Sequence, residues 1–536
     1  MEIVRIGDGS AGQCSADTIG AKGVNLARMA ALGLPVPPAF VLPIELCAAI
    51  VPGEAAAKEA LEHRLSEGMS FLEQATGNLF GDRRQPLLVS VRSSAARSMP
   101  GMLETVLDVG CTSAAVSGLV RMTGNPRFAW DCRRRFLESF AGVVISVEPG
   151  SFDHRRRQLM IAEGVAHEHG LDSEAMERLA KSYQEMIGDE GSVLLENPVL
   201  QLEAAAEAVC RSWTSNRACT YRRLEHLEDL RGTAVIVQAM VFGNRGLSSA
   251  AGVAFSRDSS TGSPKAVIDI LFESQGEDVV SGTRNPETEE AMGRSAAAAT
   301  TQLKEILVRL EHEFADVQDV EFTVEDGKLW ILQTRAAKRT PKAALRFAID
   351  FVEEGLITPA EALRRLNSVD LDSLVDKRLV NTREPAGCGI GAALGVAVGR
   401  AAFDSESAER LAAGGEPVIL MRPETTTADV AGFAVSAGVV TAFGGRTAHA
   451  ALVARQMGKP CIVGCADLSV DTARHNARLA TIPINEGDWL SIDGGSGAIY
   501  LGRGNIVVDR PEADLAQIKR WRDRYRVFAP GREAGE

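Results

Sequence analysis

The chain has 536 residues, of which 58 are basic and 71 are acidic, giving a formal net charge of −13. This acidic balance argues against a general binder of nucleic acids or anionic membranes, because either protein needs a basic surface. Apolar residues make up 45% and charged residues 24% of the chain, which is ordinary globular composition and excludes wholesale disorder. At about 150 residues per domain, the length predicts three or four domains.

Membrane-spanning and disulfide-bonded proteins are also disfavoured. No apolar run reaches membrane-spanning length, and the N-terminal residues MEIVRIGDGSAG contain no basic region followed by a hydrophobic segment. The nine cysteines are scattered without a CxxC pair, which indicates free thiols and a cytoplasmic protein.

The first half of the chain is predicted to combine short strands with a long helical region. A helix is expected over about residues 22–33, ended by a glycine and a proline cluster. Residues 86–93 indicate a buried strand, and residues 125–230 are helical in pattern. Two further strands are predicted within residues 233–243 and 249–258.

Residues 317–335 alternate polar and apolar side chains around the sequence EDGK, which predicts a β-hairpin. A two-residue Asp-Gly turn would put Asp319 and Gln333 on opposite faces. We therefore favour a three-residue loop, Glu325 to Gly327, because it separates the polar from the apolar side chains. The polar face would then contain Asp319, Glu321, Gln333 and Arg335.

The second half of the chain is predicted to contain a linker and a further compact unit. Residues 341–382 indicate a helical linker, and one helix over residues 343–366 would span about 36 Å. Residues 383–510 return to short strands, glycines and one helix, which indicates a second α/β unit. Residues 511–536 form a charged amphipathic tail.

Candidates for phosphate and metal binding occur in the first half. ATP chemistry needs cations on the phosphates, oxygen ligands for a metal and a loop of backbone N–H groups. Lys22 lies in the sequence GAKG, Arg92 ends a buried strand, and Gly101 lies in a flexible loop. The polar hairpin face could hold Mg²⁺. Each of these residues also has a non-functional interpretation. Single Lys and Arg side chains are usually solvated surface charges, and the polar hairpin face could be the solvent-exposed side of an edge hairpin.

A candidate nucleophile occurs in the second half, within the sequence GVVTAFGGRTAHAALVARQMG. A strand and a Gly-Gly turn lead to a helix that begins near His449, where free N–H groups favour an anion. A neutral imidazole, whose ordinary pKa is about 6.5, can attack phosphorus. Arg446 and Thr447 could add contacts. The alternative is a capping or core histidine. The other histidines form no metal-ligand pattern, so no zinc site is predicted.

Five segments together resemble the pyruvate, phosphate dikinase family. They are GAKGVNLARMAALGLPVPPAF, VSVRSSAARSMPGMLETVLDVG, QGEDVVSGTRNP, QDVEFTVEDGKLWILQTRAAKRT and GGRTAHAALVARQMGKPCIVG. The likeness runs from near residue 5 to about residue 525. The related phosphoenolpyruvate synthases share this plan, but GMLETVLDVG and QTRAAKRT look closer to the dikinase.

The resemblance implies an α/β (α+β) fold with two functional domains. An ATP-grasp nucleotide-binding domain is expected over residues 1–340, with a helical insertion at about 112–230. The helical linker, residues 341–382, would join it to a swivelling phosphohistidine domain over residues 383–510. The implied ligands are ATP and Mg²⁺.

The resemblance also implies roles for individual residues. Those that match phosphate-contacting and catalytic positions are Lys22, Arg92, Arg335 and His449, the last of which carries the phosphoryl group. Those that match metal-side positions are Glu321 and Gln333, with Asp319 beside them. Those that match other nucleotide, phosphate or regulatory positions are Gly101, Glu277, Arg135 (inorganic phosphate) and Thr447 (phosphorylated for control in plant members).

Two departures from the family pattern affect the expected function. Ala448 stands where the dikinases carry serine, and the chain ends at Glu536, where the family's C-terminal β/α barrel would begin. We therefore expect an ATP-dependent phosphotransferase component whose pyruvate-type or phosphoenolpyruvate-type acceptor binds a separate barrel subunit or a missing domain. The alternatives are a split kinase for a phenolic or other small-molecule hydroxyl and a non-catalytic nucleotide-binding regulator. A homodimer is compatible with each of these functions. No nucleic-acid or membrane partner is expected.

Overall fold

The computed structural model describes residues 2–9, 14–97, 99, 102–165, 167–281, 284–371, 374–380, 384–425, 429–446, 448–472 and 474–528. Helices and strands are mixed along the chain, as the sequence predicts. The fold divides into two compact units. Unit 1 comprises Met1–Ser249 with Lys328–Thr334, and unit 2 comprises Ala250–Gly327 with Arg335–Glu536.

Unit 1 contains the first seven strands and the first ten helices. The strands are β1 (Val4–Ile6), β2 (Ala39–Leu42), β3 (Leu79–Phe80), β4 (Pro86–Leu87), β5 (Val89–Ala95), β6 (Thr105–Val109) and β7 (Thr233–Ala239). The helices are α1 (Ala16–Ala31), α2 (Ile44–Ile50), α3 (Ala55–Thr76), α4 (Ser113–Thr123), α5 (Pro126–Phe140), α6 (Pro149–Glu163), α7 (Ser173–Ile187), α8 (Asp189–Glu196), α9 (Pro198–Arg211) and α10 (Asn216–Leu224).

An antiparallel sheet in the order β1-β2-β7-β5-β6 forms the centre of unit 1. Helices α5 and α9 pack against this sheet, and α5 also packs against α7. Phe40, Val91, Phe136, Tyr183 and Val237 lie fully buried between these layers. Burial of such apolar side chains is the main stabilising contribution to this unit, at about 25 cal/mol per Å². The region from α5 to α10 is helical, as the pattern of residues 125–230 predicts.

Unit 2 contains the remaining elements, although β11 lies partly in unit 1. The strands are β8 (Ala250–Phe255), β9 (Val267–Phe272), β10 (Gln318–Glu325), β11 (Lys328–Ala336), β12 (Asp376–Val380), β13 (Gly387–Cys388), β14 (Ile390–Ala393), β15 (Val396–Ala402), β16 (Val418–Arg422), β17 (Gly438–Thr441), β18 (Cys461–Val463), β19 (Leu468–Asp471), β20 (Asn476–Leu479), β21 (Ile482–Asn485), β22 (Trp489–Asp493), β23 (Ala498–Leu501) and β24 (Asn505–Asp509). The helices are α11 (Gly276–Ser281), α12 (Glu289–Ser295), α13 (Ala297–Phe314), α14 (Pro341–Glu353), α15 (Pro359–Arg365), α16 (Ser405–Ala413), α17 (Val430–Val435), α18 (His449–Gln456) and α19 (Glu512–Phe528).

Two sheets position the functional residues of unit 2. Strand β8 pairs with β10 on one side and with β9 on the other, and both pairings are antiparallel. The larger sheet has the order β13-β23-β22-β15-β16-β17-β18-β14. Its central strands β15 to β18 run parallel, and α18 packs on β18. Such parallel strands are buried by helices, which agrees with their near-continuous apolar sequences.

Residues 343–366 do not form one helix. Helix α14 ends at Glu353, and α15 begins only at Pro359. The Thr358 side chain accepts a hydrogen bond from the Glu361 N–H, so it caps a new helix start. Proline also disfavours helical conformation in the residue before it, which explains the break. The segment 343–366 therefore does not provide the 36 Å rod that one helix would give.

The predicted three-residue loop of the hairpin is also wrong. Strand β10 continues through Glu325 and β11 begins at Lys328, which leaves only Asp326 and Gly327 between them. Both residues have positive φ, 48° and 79°. This is typical of the type I′ turn that an Asp-Gly pair favours, because Asp tolerates the left-handed region.

No helix in the described part of the chain is long and apolar enough to cross a lipid bilayer. The nine cysteines are free.

Candidate functional site

Lys22 lies just after a break in helix α1. Gly20 interrupts the helix with φ 72° and ψ 165°, and Lys22 follows in the next turn, half-buried. A Cβ atom at position 20 would lie 1.9 Å from the carbonyl oxygen of Ser94, so only glycine fits this approach. The GAKG sequence therefore forms a kinked helix pressed against strand β5.

Arg92 contacts Gln333 within unit 1. The Arg92 Nη2 atom donates a hydrogen bond to Gln333 Oε1 at 3.2 Å, and Asn25 Nδ2 donates to the Thr334 carbonyl at 2.9 Å. The Lys22 turn is bonded to β5 through the Gly23 N–H, which donates to Ser94 Oγ at 3.1 Å. Unit 1 thus places two predicted phosphate-binding cations on α1 and β5, with the predicted metal-side amide in contact with one of them.

Arg335, Asp319 and Glu321 form a cluster within unit 2. Arg335 Nε donates to Asp319 Oδ2 at 2.8 Å, and its Nη2 atom lies 3.7 Å from Glu321 Oε1. Burial raises the pKa of Asp319, although the Arg335 charge opposes this shift. Burial alone would lower the pKa of Arg335, but the two carboxylates raise it above its ordinary value. The arrangement fixes the direction of a half-exposed guanidinium.

The same cluster fits a magnesium ion brought in with a nucleotide. The described residues contain no group of three or more His, Cys, Asp or Glu side chains that could hold a metal ion by itself. However, Asp319 Oδ1 is buried without a hydrogen-bond partner among the described residues. Magnesium commonly takes one or two carboxylates and completes its shell with water and substrate phosphates. Asp319 and Glu321 supply that hard oxygen chemistry.

His449 is the first residue of helix α18, as the sequence predicts. Its ring is half-buried, and the Nε2 atom is buried with no hydrogen-bond partner in the part of the chain described. The cap residue Ala448 has no side-chain hydrogen bond to the helix. The N–H groups of a helix N-terminus and the helix dipole favour an anion.

Two residues that sequence reasoning missed hold the segment before His449. Asp269 Oδ2 accepts a hydrogen bond from the Arg446 N–H at 2.7 Å, and its Oδ1 lies 3.4 Å from Arg446 Nη1. Asn285 Oδ1 accepts from the Gly444 N–H at 3.1 Å. Burial raises the pKa of Asp269, with the Arg446 charge opposing the shift. The signal that could identify Asp269 from the sequence is a carboxylate within the otherwise apolar strand sequence VIDILF.

The remaining predicted residues are not shown to join these clusters. Glu277 is exposed on the short helix α11. Arg135 is buried in α5, where its Nε donates to Asp131 Oδ2 at 3.0 Å. Burial alone would raise the pKa of Asp131, but Arg135 and Arg134 hold it well below its ordinary range. Gly101 and Thr447 lie outside the described residues.

Comparison with known proteins places the chain among dikinase-like sequences. The family described as "Pyruvate phosphate dikinase, AMP/ATP-binding domain" matches residues 54–295 and 289–355, which together exceed half of the chain. The family described as "PEP-utilising enzyme, mobile domain" matches residues 414–497. The second match contains His449.

Curated full-length relatives give the same result. The chain is 39% identical over 516 residues to pyruvate, phosphate dikinase 1, chloroplastic, of Arabidopsis thaliana, and 38% identical over 516 residues to pyruvate, phosphate dikinase of Clostridium symbiosum. It is 39% identical over 525 residues to the dikinase of Rhizobium meliloti. Each match covers 95% of this chain but only 53%, 59% and 58% of the respective relative. The chain thus spans little more than half the length of these relatives.

Proposed function

The chain belongs to the pyruvate, phosphate dikinase family, and from that premise we propose that it is an ATP-dependent phosphotransferase component that phosphorylates its own His449. The observation that carries the proposal is the position of this histidine. It begins a helix whose cap residue, Ala448, makes no side-chain hydrogen bond to the helix, in the segment that matches the mobile domain, and a ring nitrogen lacks a hydrogen-bond partner among the described residues.

The proposed nucleotide-binding residues act on the phosphates of ATP. By their motif matches, Lys22, Arg92 and Arg335 would each neutralise charge on the phosphates, which is the largest electrostatic demand of phosphoryl transfer. Asp319 orients Arg335 through its 2.8 Å hydrogen bond. Glu321, beside Asp319, would act as a metal ligand, and a bound Mg²⁺ would supply charge neutralisation on the phosphates. A metal-side role for Gln333 rests on its motif match alone.

The proposed transfer step forms one bond and breaks one. A ring nitrogen of His449 attacks the β-phosphorus of ATP, the N–P bond forms, and the P–O bond to the AMP oxygen breaks, so AMP leaves. Family membership favours attack on the β-phosphoryl group with AMP as the nucleotide product. The γ-phosphoryl group, still bonded to the β-phosphate on His449, would then be transferred to inorganic phosphate or to water, with cleavage of the β–γ P–O bond. A role for Arg135 in binding inorganic phosphate rests on its motif match alone.

The proposed domain organisation follows the family plan. Residues 1–340 would form an ATP-grasp nucleotide-binding domain with a helical insertion at about 112–230, and residues 383–510 a swivelling phosphohistidine domain. The two family matches support this division, because one ends at residue 355 and the other begins at residue 414. Residues 341–382 would connect the two domains.

The proposed acceptor is pyruvate or phosphoenolpyruvate, bound on a separate barrel subunit or on a further part of a longer chain. The names of the relatives support this acceptor class, whereas the matched length supports acceptor binding outside these residues. A pull-down that recovers a barrel-containing partner would support the separate subunit.

The proposed function is tested by incubating the protein with ATP and Mg²⁺ and identifying both the protein adduct and the released nucleotide. We expect an acid-labile phosphoryl group on the wild type and none on His449→Ala. His475→Ala is a matched control, because His475 lies in the same predicted domain, where its exposed ring has Nδ1 3.3 Å from Asp404 Oδ2 and 3.1 Å from Glu486 Oε2. Nucleotide binding without any phosphohistidine would support a non-catalytic regulator instead.

A further inference from the structure

We propose that Ser94 is a positioning residue that holds Lys22 in place for phosphate binding. This inference rests on the proposed function, because it assigns to Ser94 an effect on ATP that acts through Lys22. Ser94 lies 71 residues from the Lys22 turn along the chain, and no sequence motif links the two.

The Ser94 hydroxyl joins both sides of the break in helix α1. It donates a hydrogen bond to the Ile19 carbonyl at 2.9 Å and accepts one from the Gly23 N–H at 3.1 Å. These two partners bracket the residues Gly20 to Lys22. A single buried side chain thus satisfies a carbonyl before the kink and an N–H after it, where a regular helix would supply backbone partners. We call these two hydrogen bonds the Ser94 clamp.

Ser94 is itself buried and hydrogen-bonded within the sheet. It is 1% exposed, and its N–H donates to Thr233 Oγ1 at 3.0 Å. It pairs in register with Ala234 of β7, two positions along from the pair Arg92 and Ile236. The Ser94 hydroxyl is therefore attached to a buried, paired strand, and its two bonds join the Lys22 turn to that strand.

The clamp also sets which face of β5 receives the Lys22 turn. Side chains two residues apart in a strand point to the same face, so Ser94 and Arg92 share one face. Arg92 uses that face to contact Gln333. Attachment of the turn through Ser94 therefore holds Lys22 beside the same strand face that presents the second cation.

Loss of the hydroxyl would leave the Gly23 N–H and the Ile19 carbonyl without their partner. Unpaired buried groups favour local rearrangement toward water or a new partner. The kink at Gly20 is the point that can adjust, and Lys22 lies immediately after it. The consequence would be a displaced ammonium group and weaker ATP binding.

A double-mutant cycle separates positioning from a general structural effect. The dissociation constant for ATP with Mg²⁺ is measured by calorimetry for the wild type, Ser94→Ala, Lys22→Ala and the double variant. Ser93→Ala is the matched control, because Ser93 is a buried hydroxyl on the same strand but on the opposite face. Thermal unfolding of each variant is measured in parallel, and Ser94→Thr replaces Ser94→Ala if the alanine variant does not fold.

We expect Ser94→Ala to weaken ATP binding about tenfold, the effect of losing hydrogen bonds that position a ligand contact. Ser93→Ala should bind ATP like the wild type. The double variant should bind no more weakly than Lys22→Ala, because residues that act through one contact are non-additive. Ser94→Thr, which keeps the hydroxyl, should bind more tightly than Ser94→Ala.

Additive effects of Ser94→Ala and Lys22→Ala would overturn the inference, as would equal losses from Ser93→Ala and Ser94→Ala. If Ser94→Ala does not fold, the inference would be overturned by a Ser94→Thr variant that binds ATP as weakly as Lys22→Ala does. The proposed function fails separately, by absence of ATP binding and of phosphohistidine in the wild type, and the inference would then fail with it.

Discussion

The backbone N–H of Arg446 donates a 2.7 Å hydrogen bond to Oδ2 of Asp269, a carboxylate that is 3% exposed on strand β9. This contact ties the segment before His449 to the sheet that carries Asp319 and Glu321. A histidine that transfers a phosphoryl group to a distant acceptor must leave this position. The contact must therefore form and break during the proposed cycle.

Asp269→Asn should loosen the segment that precedes His449. The substitution keeps an oxygen acceptor but removes the charge, and a hydrogen bond to a charged group contributes about 1.5–3 kcal/mol. We expect faster amide hydrogen exchange at Gly444 and Arg446, measured by mass spectrometry. Asp467→Asn, an exposed acid, is the control and should leave that exchange unchanged. Unchanged exchange in Asp269→Asn would show that the carboxylate does not hold the segment.

Gly20→Ala should destabilise the protein more than Gly33→Ala. The two glycines have nearly the same φ, 72° and 70°, but a Cβ at Gly33 meets nothing within 4 Å, whereas one at Gly20 meets the Ser94 carbonyl oxygen at 1.9 Å. Positive φ alone costs alanine about 1–2 kcal/mol, and overpacking adds about 1–3 kcal/mol. Urea unfolding of both variants measures the difference. Equal losses would mean that the close approach at Gly20 relaxes at no cost.

Arg335→Ala should both lower stability and abolish phosphorylation. Removal of the guanidinium leaves the buried Asp319 carboxylate without its 2.8 Å partner. Because the Arg335 side chain is 38% exposed, water screens part of the pair, and we expect a loss of about 1–2 kcal/mol in the free energy of unfolding. The double variant Asp319→Asn with Arg335→Ala should recover stability but not phosphorylation. Failure of that recovery would show that the lost stability does not come from the unpaired carboxylate.

The buried Asp319 predicts a pH dependence of stability. Its pKa is raised above the ordinary value of 3.8, so on acidification the folded protein takes up this proton before the unfolded chain does. Protonation of Asp319 therefore contributes its full stabilisation of the folded protein below pH 3.8, and this contribution is lost as the pH rises through the raised pKa. The stability of the wild type relative to Asp319→Asn should increase as the pH falls from 7 toward 4. Urea unfolding at both pH values measures this, and a constant difference would contradict it.

Much of the site could be predicted from local sequence, because strand and helix patterns are local properties. The strand before His449 and the helix that begins at it lie where the pattern predicts. The hairpin turn is one residue shorter than the alternation of polar and apolar side chains predicts, because Asp326 and Gly327 both adopt positive φ and close the turn by themselves.

Long-range contacts could not be predicted in this way. The Ser94 clamp joins residues 71 and 75 positions apart, and the Asp269 contact with Arg446 spans 177 positions. No periodic pattern reports such pairings. The ion pair between Arg135 and Asp131 is predictable from the sequence, because the two residues are four apart in a predicted helix and such residues are neighbours on its surface.

The central claim is that His449 accepts a phosphoryl group from ATP. The most direct measurement uses ATP labelled separately at the β- and γ-phosphates, followed by mapping of the label in peptides of the wild-type protein. Label from the β-position on the peptide that contains His449 is the predicted result. A protein that binds ATP with Mg²⁺ but leaves this peptide unlabelled from either position would contradict the account.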